Sequence, residues 1–168
     1  MSSSVTSAVL LGRQLKQMES DKALSSISVG LINENIYEWG VVLMIPHDCP
    51  LYGGGCFKAR LRFPTEYPIL PPTMKFETPI WHPNIYPNGD VCISILHPPE
   101  VDQFGYEPVQ ERWRPLHTPE SILMSVISLL GDPNDESPAN TDAAMEWRDD
   151  RAAFKDRVKR CVRDSLEF

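Results

Sequence analysis

The hydrophobic period of this chain changes twice, and those changes limit the fold more than any single residue does. Near the start, Ala8, Leu11, Leu15 and Met18 recur at helical spacing with Arg13, Gln14, Lys16 and Gln17 between them, which predicts an amphipathic helix over roughly residues 4–19. Gly12 lies inside it, so tertiary packing must support that helix. The period then becomes two. Ile27, Val29 and Leu31 alternate with small or polar residues, as do Trp39, Val41, Leu43 and Ile45. Phe57, Ala59, Leu61 and Phe63 alternate with Lys58, Arg60 and Arg62, and Met74 and Phe76 with Lys75 and Glu77. Successive strand side chains point to opposite faces, so four such runs joined by Asn-, Gly- and Pro-rich turns predict an antiparallel meander with one buried face.

The helical period returns at Thr118-Pro119, an N-cap followed by proline at the first helical position. Ile122, Leu123, Val126, Ile127, Leu129 and Leu130 follow, and Gly131-Asp132-Pro133 stops the helix. Apolar on most sides, this segment predicts a buried central helix packed on the sheet. A short helix is expected near Asn140–Trp147, and a longer one from Asp149 or Asp150. In the latter, Phe154, Val158, Cys161 and Val162 share one face, while Arg151, Lys155, Lys159 and Arg163 form a basic outer face. A helix, a meander and then a cluster of helices make an α+β fold with the helices segregated. The length of 168 residues fits one domain, residues 1–168.

The connections between these elements carry their own information. Of the 16 prolines, 14 lie between residues 64 and 138. The link Phe63–Pro72 cannot be helical, because its prolines fix an extended, protruding loop. That loop carries Ile69 and Leu70, which either pack beneath it or form an exposed docking point. Residues 98–111 contain Glu100, Asp102, Glu107 and Glu111 with no Lys or Arg, and show little periodicity. They read as a long acidic insertion in a loop, of the kind that is often functional.

Charge and cysteine usage narrow the function. The net charge of −7 argues against general nucleic-acid binding, which needs a basic footprint. The four cysteines, Cys49, Cys56, Cys92 and Cys161, form no CxxC pair, and Met1-Ser2-Ser3-Ser4 does not resemble a signal peptide. Free thiols in a reducing, cytoplasmic setting are expected. No apolar run reaches the length of a membrane span, so direct membrane insertion is not expected. With Phe168 close behind the last helix, neither a tail anchor nor an acidic tail is expected. His47, His97 and His117 are dispersed with no cysteine pair beside them, and no metal site is expected.

The chemistry concentrates in residues 81–96. Cys92 follows a polar turn (Pro87, Asn88, Gly89, Asp90) and precedes the apolar run Ile93–Leu96, and Asn84 lies behind His82-Pro83. A thiol at the end of a rigid turn with a side-chain amide nearby suits acyl transfer through a thioester. The amide N–H can donate to the oxyanion that forms. No Lys or Arg flanks Cys92, and Asp90 precedes it closely, a setting that does not favour the thiolate. Exchange between thioesters does not require such help, because the incoming acyl group is already activated.

His82-Pro83-Asn84, followed by Gly89-Asp90-Val91-Cys92-Ile93, resembles the active-site signature of ubiquitin-conjugating enzymes. The likeness extends to Tyr67-Pro68-Ile69-Leu70-Pro71-Pro72, to Trp113-Arg114-Pro115 and to Asp132-Pro133-Asn134, and so covers nearly the whole chain. Most members place the Trp-x-Pro turn soon after the cysteine. Here it begins only at Trp113, which implies an insertion inside His97–Arg112. With the run Cys92–His97, Ser137–Asn140 and Glu146-Trp147-Arg148, the chain looks most similar to the short-tailed G-type subgroup, which carries such an acidic insertion.

This resemblance implies the ubiquitin-conjugating fold and specific roles. Cys92 would receive ubiquitin from the activating enzyme as a thioester and pass it to a lysine amine. Asn84 would stabilise the oxyanion, hold the turn by hydrogen-bonding backbone, or do both. His82 and Pro83 would pin the turn. Ser94 and Ser137 stand where many members carry an acid, so the lysine-guiding role would fall to Glu100 or Asp102, or to Asp135 or Glu136. Arg13 and Lys16, the Pro68-Ile69 loop and the turn Trp113, Arg114, Pro115 and Leu116 would dock the activating enzyme and a RING-type ligase in turn. No cofactor is expected on the chain itself, since ATP is used by the upstream activating enzyme. The subgroup builds polyubiquitin chains that target substrates to the proteasome. A monomer is expected, cytoplasmic, with nuclear presence or recruitment to a membrane by an adaptor also compatible. Two other functions fit the same residues: a cysteine hydrolase pairing Cys92 with His82 or His97, and a non-catalytic module that binds ubiquitin or a ligase.

Overall fold

Pairing turns the period-two alternation into a fixed register. The computed structural model describes residues 3–21, 24–98 and 112–167. Its elements are α1 (Ser3–Ser20), β1 (Ile27–Ile32), β2 (Asn35–Met44), β3 (Cys56–Arg62), β4 (Thr73–Phe76), a 3₁₀ turn (Ser94–Leu96), α2 (Pro119–Gly131), α3 (Thr141–Asp149) and α4 (Arg151–Ser165). The strands form one antiparallel sheet in the order β1-β2-β3-β4, the predicted meander. Trp39 faces Leu61, Val41 faces Ala59 and Leu43 faces Phe57, while Leu61 also faces Met74. All of these are buried, and Lys58, Arg62 and Lys75, at the alternate positions, are exposed. The α+β class and the element order are as the periodicity implies.

One strand departs from the expected pattern. β1 lies at the sheet edge, and its register shifts between Leu31 and Ile32. Leu31, the last residue before the shift, is 39% exposed rather than buried, and in this strand only Ile27 and Val29 pack partly against the core. Edge strands have a neighbour on one side only, so a local irregularity there costs less than in the sheet centre. α1 packs against β1 and β2, burying Leu11, Leu15 and Met18.

α2 starts at a reciprocal cap. Thr118 Oγ1 accepts from the Ser121 N–H at 3.2 Å, and Ser121 Oγ accepts from the Thr118 N–H at 2.8 Å. Ile122, Leu123, Val126 and Leu130 enter the core, but Met124 is 48% exposed, so the helix is buried on one side rather than all round. α3 and α4 are capped by Asn140 and Asp150, whose side chains accept from the Ala143 and Ala153 N–H groups. The Cys56 N–H donates to Ser165 Oγ at 3.0 Å and ties the end of α4 to β3.

The acidic insertion, including Glu100 and Asp102, lies outside the described residues. Its flanks do not: the Trp113 N–H donates to the His97 carbonyl at 3.0 Å, so the chain leaves and re-enters the fold at one point. No helix among the described residues is long and apolar enough to cross a membrane.

The contrast along α2 is testable. Leu123→Ala should lower stability by about 3 kcal/mol through lost burial and a residual cavity. Met124→Ala, one residue on, should change it by less than about 0.5 kcal/mol. Urea unfolding with an unchanged slope would report both.

Candidate active site

Residues 84–92 form a tight antiparallel turn, and this brings Asn84 and Cys92 together. The Cys92 N–H donates to the Asn84 carbonyl at 2.9 Å, Ile85 bridges Val91, and the Tyr86 N–H donates to the Asp90 carbonyl at 2.9 Å. The turn also hooks onto the sheet, with Asp90 bridging Lys75 and the Phe76 N–H donating to the Gly89 carbonyl at 2.8 Å. Gly89 is required here. Its φ is +102°, and a Cβ would lie 2.2 Å from the Phe76 oxygen.

His82 secures the turn from beneath. It is fully buried, its Nδ1 accepts from the Asn84 N–H at 2.9 Å, and its Nε2 lies 2.9 Å from the Leu129 carbonyl at the end of α2. A carbonyl only accepts, so Nε2 carries the proton and the ring is neutral. Burial lowers its pKa from 6.5 to about 4, although the bond to Leu129 works the other way. With both nitrogens engaged, His82 is not available as a base for Cys92, which removes one form of the hydrolase reading. Both ring nitrogens are engaged with backbone groups.

Asn84 is 3% exposed, and its amide is held by a single residue. Oδ1 accepts from the Asn134 N–H at 2.9 Å, and Nδ2 donates to the Asn134 carbonyl at 2.6 Å. An amide nitrogen has two hydrogens, so one remains to donate elsewhere. The Pro83 carbonyl accepts from the N–H groups of Ala139 and Asn140 at 2.8 and 2.9 Å. The loop 132–140 is thus stitched to the His82–Asn84 turn along its length.

Cys92 is half-buried in a small cleft of about 60 Å³ with Asn84, Ser94, His97, Leu129, Asn134 and Ser137. The two serines therefore do line the site. His97 Nε2 lies 3.7 Å from Cys92 Sγ. Asp135 does not line the cleft: Arg148 Nε donates to its Oδ2 at 3.2 Å and Arg148 Nη2 to its carbonyl at 3.1 Å. Glu136 is exposed beside it, its N–H donating to Asn134 Oδ1 at 3.1 Å. A larger open hollow of about 440 Å³ is lined by Arg60, Arg62, Lys75, Glu77 and Asp90 on the outer face of the sheet, with no cysteine in its lining.

The expected docking residues separate into exposed and buried ones. Ile69 (63% exposed), Leu116 (76%), Arg13, Lys16, Arg114 and Pro115 are at the surface, and Pro68 is half-buried. Trp113 is not a contact residue. It is fully buried, with its ring 5.8 Å from that of Tyr67 and its Nε1–H donating to the Pro68 carbonyl at 2.8 Å, so it braces the loop that presents Ile69. Tyr67 Oη donates to Gln14 at 2.7 Å, which ties the same loop to α1, and burial raises its phenol to about 12. The exposed Val9 shares a helix face with Arg13 and Lys16, at i, i+4 and i+7, and was not anticipated.

Several supporting residues were also not anticipated. The buried Tyr52 hydroxyl donates to the Trp81 carbonyl, and burial pushes its pKa well above the ordinary range. Trp81 Nε1 donates to Glu146 Oε1 at 3.1 Å, and the Arg157 guanidinium sits 4.6 Å over its ring. Aromatic residues in a proline-rich segment have no periodicity that could reveal these partners.

The buried His82 predicts a pH dependence. The unfolded chain protonates this ring near pH 6.5, and the folded chain only near pH 4. Its contribution is therefore complete above about pH 6.5 and is lost as the pH falls toward about 4, on the order of 3 kcal/mol. Urea midpoints should fall across that window, and His82→Gln should flatten the fall.

Comparison with known proteins agrees with the geometry. Residues 10–162 match the family model described as ubiquitin-conjugating enzyme. The chain is 55% identical to Ubiquitin-conjugating enzyme E2 15 of Schizosaccharomyces pombe, over 98% of both chains. It is 53% identical to Ubiquitin-conjugating enzyme E2 14 of Arabidopsis thaliana, over 96% of both chains. With Ubiquitin-conjugating enzyme E2 G2 of Homo sapiens it shares 46% identity, over 91% of this chain and 92% of that one. Members of the family are thioester-forming ubiquitin transferases whose partners are ubiquitin, an activating enzyme and a ligase. A match through all but the chain ends, joined to identities near one half over almost the full length of each relative, means that this protein belongs to the ubiquitin-conjugating enzyme family.

Proposed function

We propose that Cys92 carries ubiquitin as a thioester and, with a RING-type ligase, passes it to lysine amines to build chains that direct substrates to the proteasome. The observation that supports this reading is the backbone pairing of Asn84 with Cys92 across one tight turn, which puts a donor amide and the thiol in the same cleft. In the first step the Cys92 thiolate attacks the thioester on the activating enzyme, whose own thiolate leaves. ATP is used there, upstream of this chain. In the second step a lysine amine attacks the Cys92 thioester carbonyl. The free Nδ2 hydrogen of Asn84 donates to the oxyanion. Collapse expels the Cys92 thiolate, forms the isopeptide bond and releases the amine proton.

Val9, Arg13, Lys16, Ile69, Arg114, Pro115 and Leu116 form the docking surface of this proposal, used by activating enzyme and ligase in turn. With Asp135 held by Arg148, the guiding of the lysine falls to Glu100 or Asp102 of the insertion, or to the exposed Glu136. The enzyme acts as a cytoplasmic monomer, with nuclear presence or adaptor recruitment to a membrane compatible. The 3.7 Å approach of His97 to Cys92 favours a second reading, hydrolysis of ubiquitin esters by a Cys-His pair. Turnover of such an ester without activating enzyme would support it.

A non-reducing gel with activating enzyme, ubiquitin and ATP should show a thiol-labile adduct that is lost in Cys92→Ala. Absence of the adduct in the parent protein would rule out the proposal. Asn84→Ser should still charge but discharge to lysine about a hundredfold more slowly. Glu100→Gln with Asp102→Asn should slow chain formation and leave charging unchanged. An equal fall in both steps would refute the guiding role.

A further inference from the structure

We infer that Arg148 is a positioning residue for the transfer step, acting through the amide of Asn84; this rests on the oxyanion role proposed for Asn84. The Asn84 Nδ2 group donates to the Asn134 carbonyl, which belongs to the planar peptide unit joining Asn134 to Asp135. Arg148 holds the residue at the far end of that unit at two points, donating from Nε to Asp135 Oδ2 at 3.2 Å and from Nη2 to the Asp135 carbonyl, which begins the next peptide unit, at 3.1 Å. Asn84 Oδ1 accepts from the Asn134 N–H as well, so the placement of the Asn134 backbone between Pro133 and Asp135 sets the plane of the Asn84 amide. That in turn sets where the remaining Nδ2 hydrogen points.

Other stitches do not do the same work. Ala139 and Asn140 donate to the Pro83 carbonyl and hold the far end of the loop. The Asn134 side chain closes a local turn onto Glu136. Between these two points the Arg148 fork holds Asp135 against α3. A guanidinium suits the task because its N–H groups form a rigid fork, whereas a lysine presents a single point charge. The pair is partly exposed, with the Arg148 side chain 56% accessible and Asp135 32%, so its loss should not unfold the protein. Its effect should appear in the orientation of a donor, where small displacements are costly to rate.

Single-turnover discharge of purified Cys92–ubiquitin thioester to free lysine, over a range of lysine concentrations, tests this. Arg148→Gln should charge normally and lower the maximal discharge rate about fivefold with an unchanged half-saturating lysine concentration. Arg148→Lys should fall between Arg148→Gln and the parent. In an Asn84→Ser background, Arg148→Gln should add no further loss, because the donor it orients is gone. Parent-like discharge by Arg148→Gln would overturn the inference. So would an equal further loss in Asn84→Ser, or a parallel fall in charging, which would mark a general structural role. Parent-like discharge by Asn84→Ser itself would overturn the oxyanion reading first, and this inference with it.

Discussion

A neutral, buried imidazole links the two halves of this molecule. Through one nitrogen His82 receives the Asn84 N–H, and through the other it donates to the Leu129 carbonyl at the end of α2. The first bond shapes the turn that brings Asn84 to Cys92. The second fastens that turn to the helix whose apolar side closes the core. An imidazole does both at once because it is a donor and an acceptor on one rigid ring, and it can do so only while uncharged. Burial keeps it uncharged, so the packing of the core and the geometry of the cleft depend on each other.

Around this pivot the chain separates buried supports from exposed side chains. Tyr52, Trp81, Glu146 and Arg157 hold the start of the active-site segment, and Asn134 with Arg148 holds the side facing α3. Trp113 supports the loop beyond, and leaves Ile69 and Leu116 at the surface. Cys92 therefore sits on a scaffold bonded from several directions, while the exposed apolar side chains of Ile69 and Leu116 lie on other segments of the chain. A relay enzyme needs this arrangement, since its partners must change while the thiol remains in place.

Much of this was legible in the chain itself, and the failures have identifiable causes. The sheet, its buried face and the capped central helix follow from periodicity and from Thr118-Pro119. The cysteine turn follows from Pro87-Asn88-Gly89-Asp90. Leu31 was misjudged because alternation alone does not reveal which strand lies at the sheet edge, with a neighbour on one side only. The motif that contains Trp113 suggested contact, whereas its large ring serves the core. Asp135 looked like a free acid near the site, but its partner lies on a helix that follows it in the chain.

The boundary between the two kinds of information is physical. Sequence by itself determined what local chemistry decides: helix and strand periods, caps and stops, the turn before Cys92, and the pairing of a thiol with an amide that resembles a thioester enzyme. Those depend on neighbours within a few residues. Only the tertiary structure decided which polar groups meet across long separations: His82 with Leu129, Asn84 with Asn134, Tyr52 with Trp81, and Arg148 with Asp135. Such pairs are set by how helices and sheet pack, and in most of them one partner is a backbone group, which every residue type carries alike. A side chain that bonds a carbonyl leaves no complementary residue in the sequence to betray it, and the rigidity of this site rests largely on bonds of that kind.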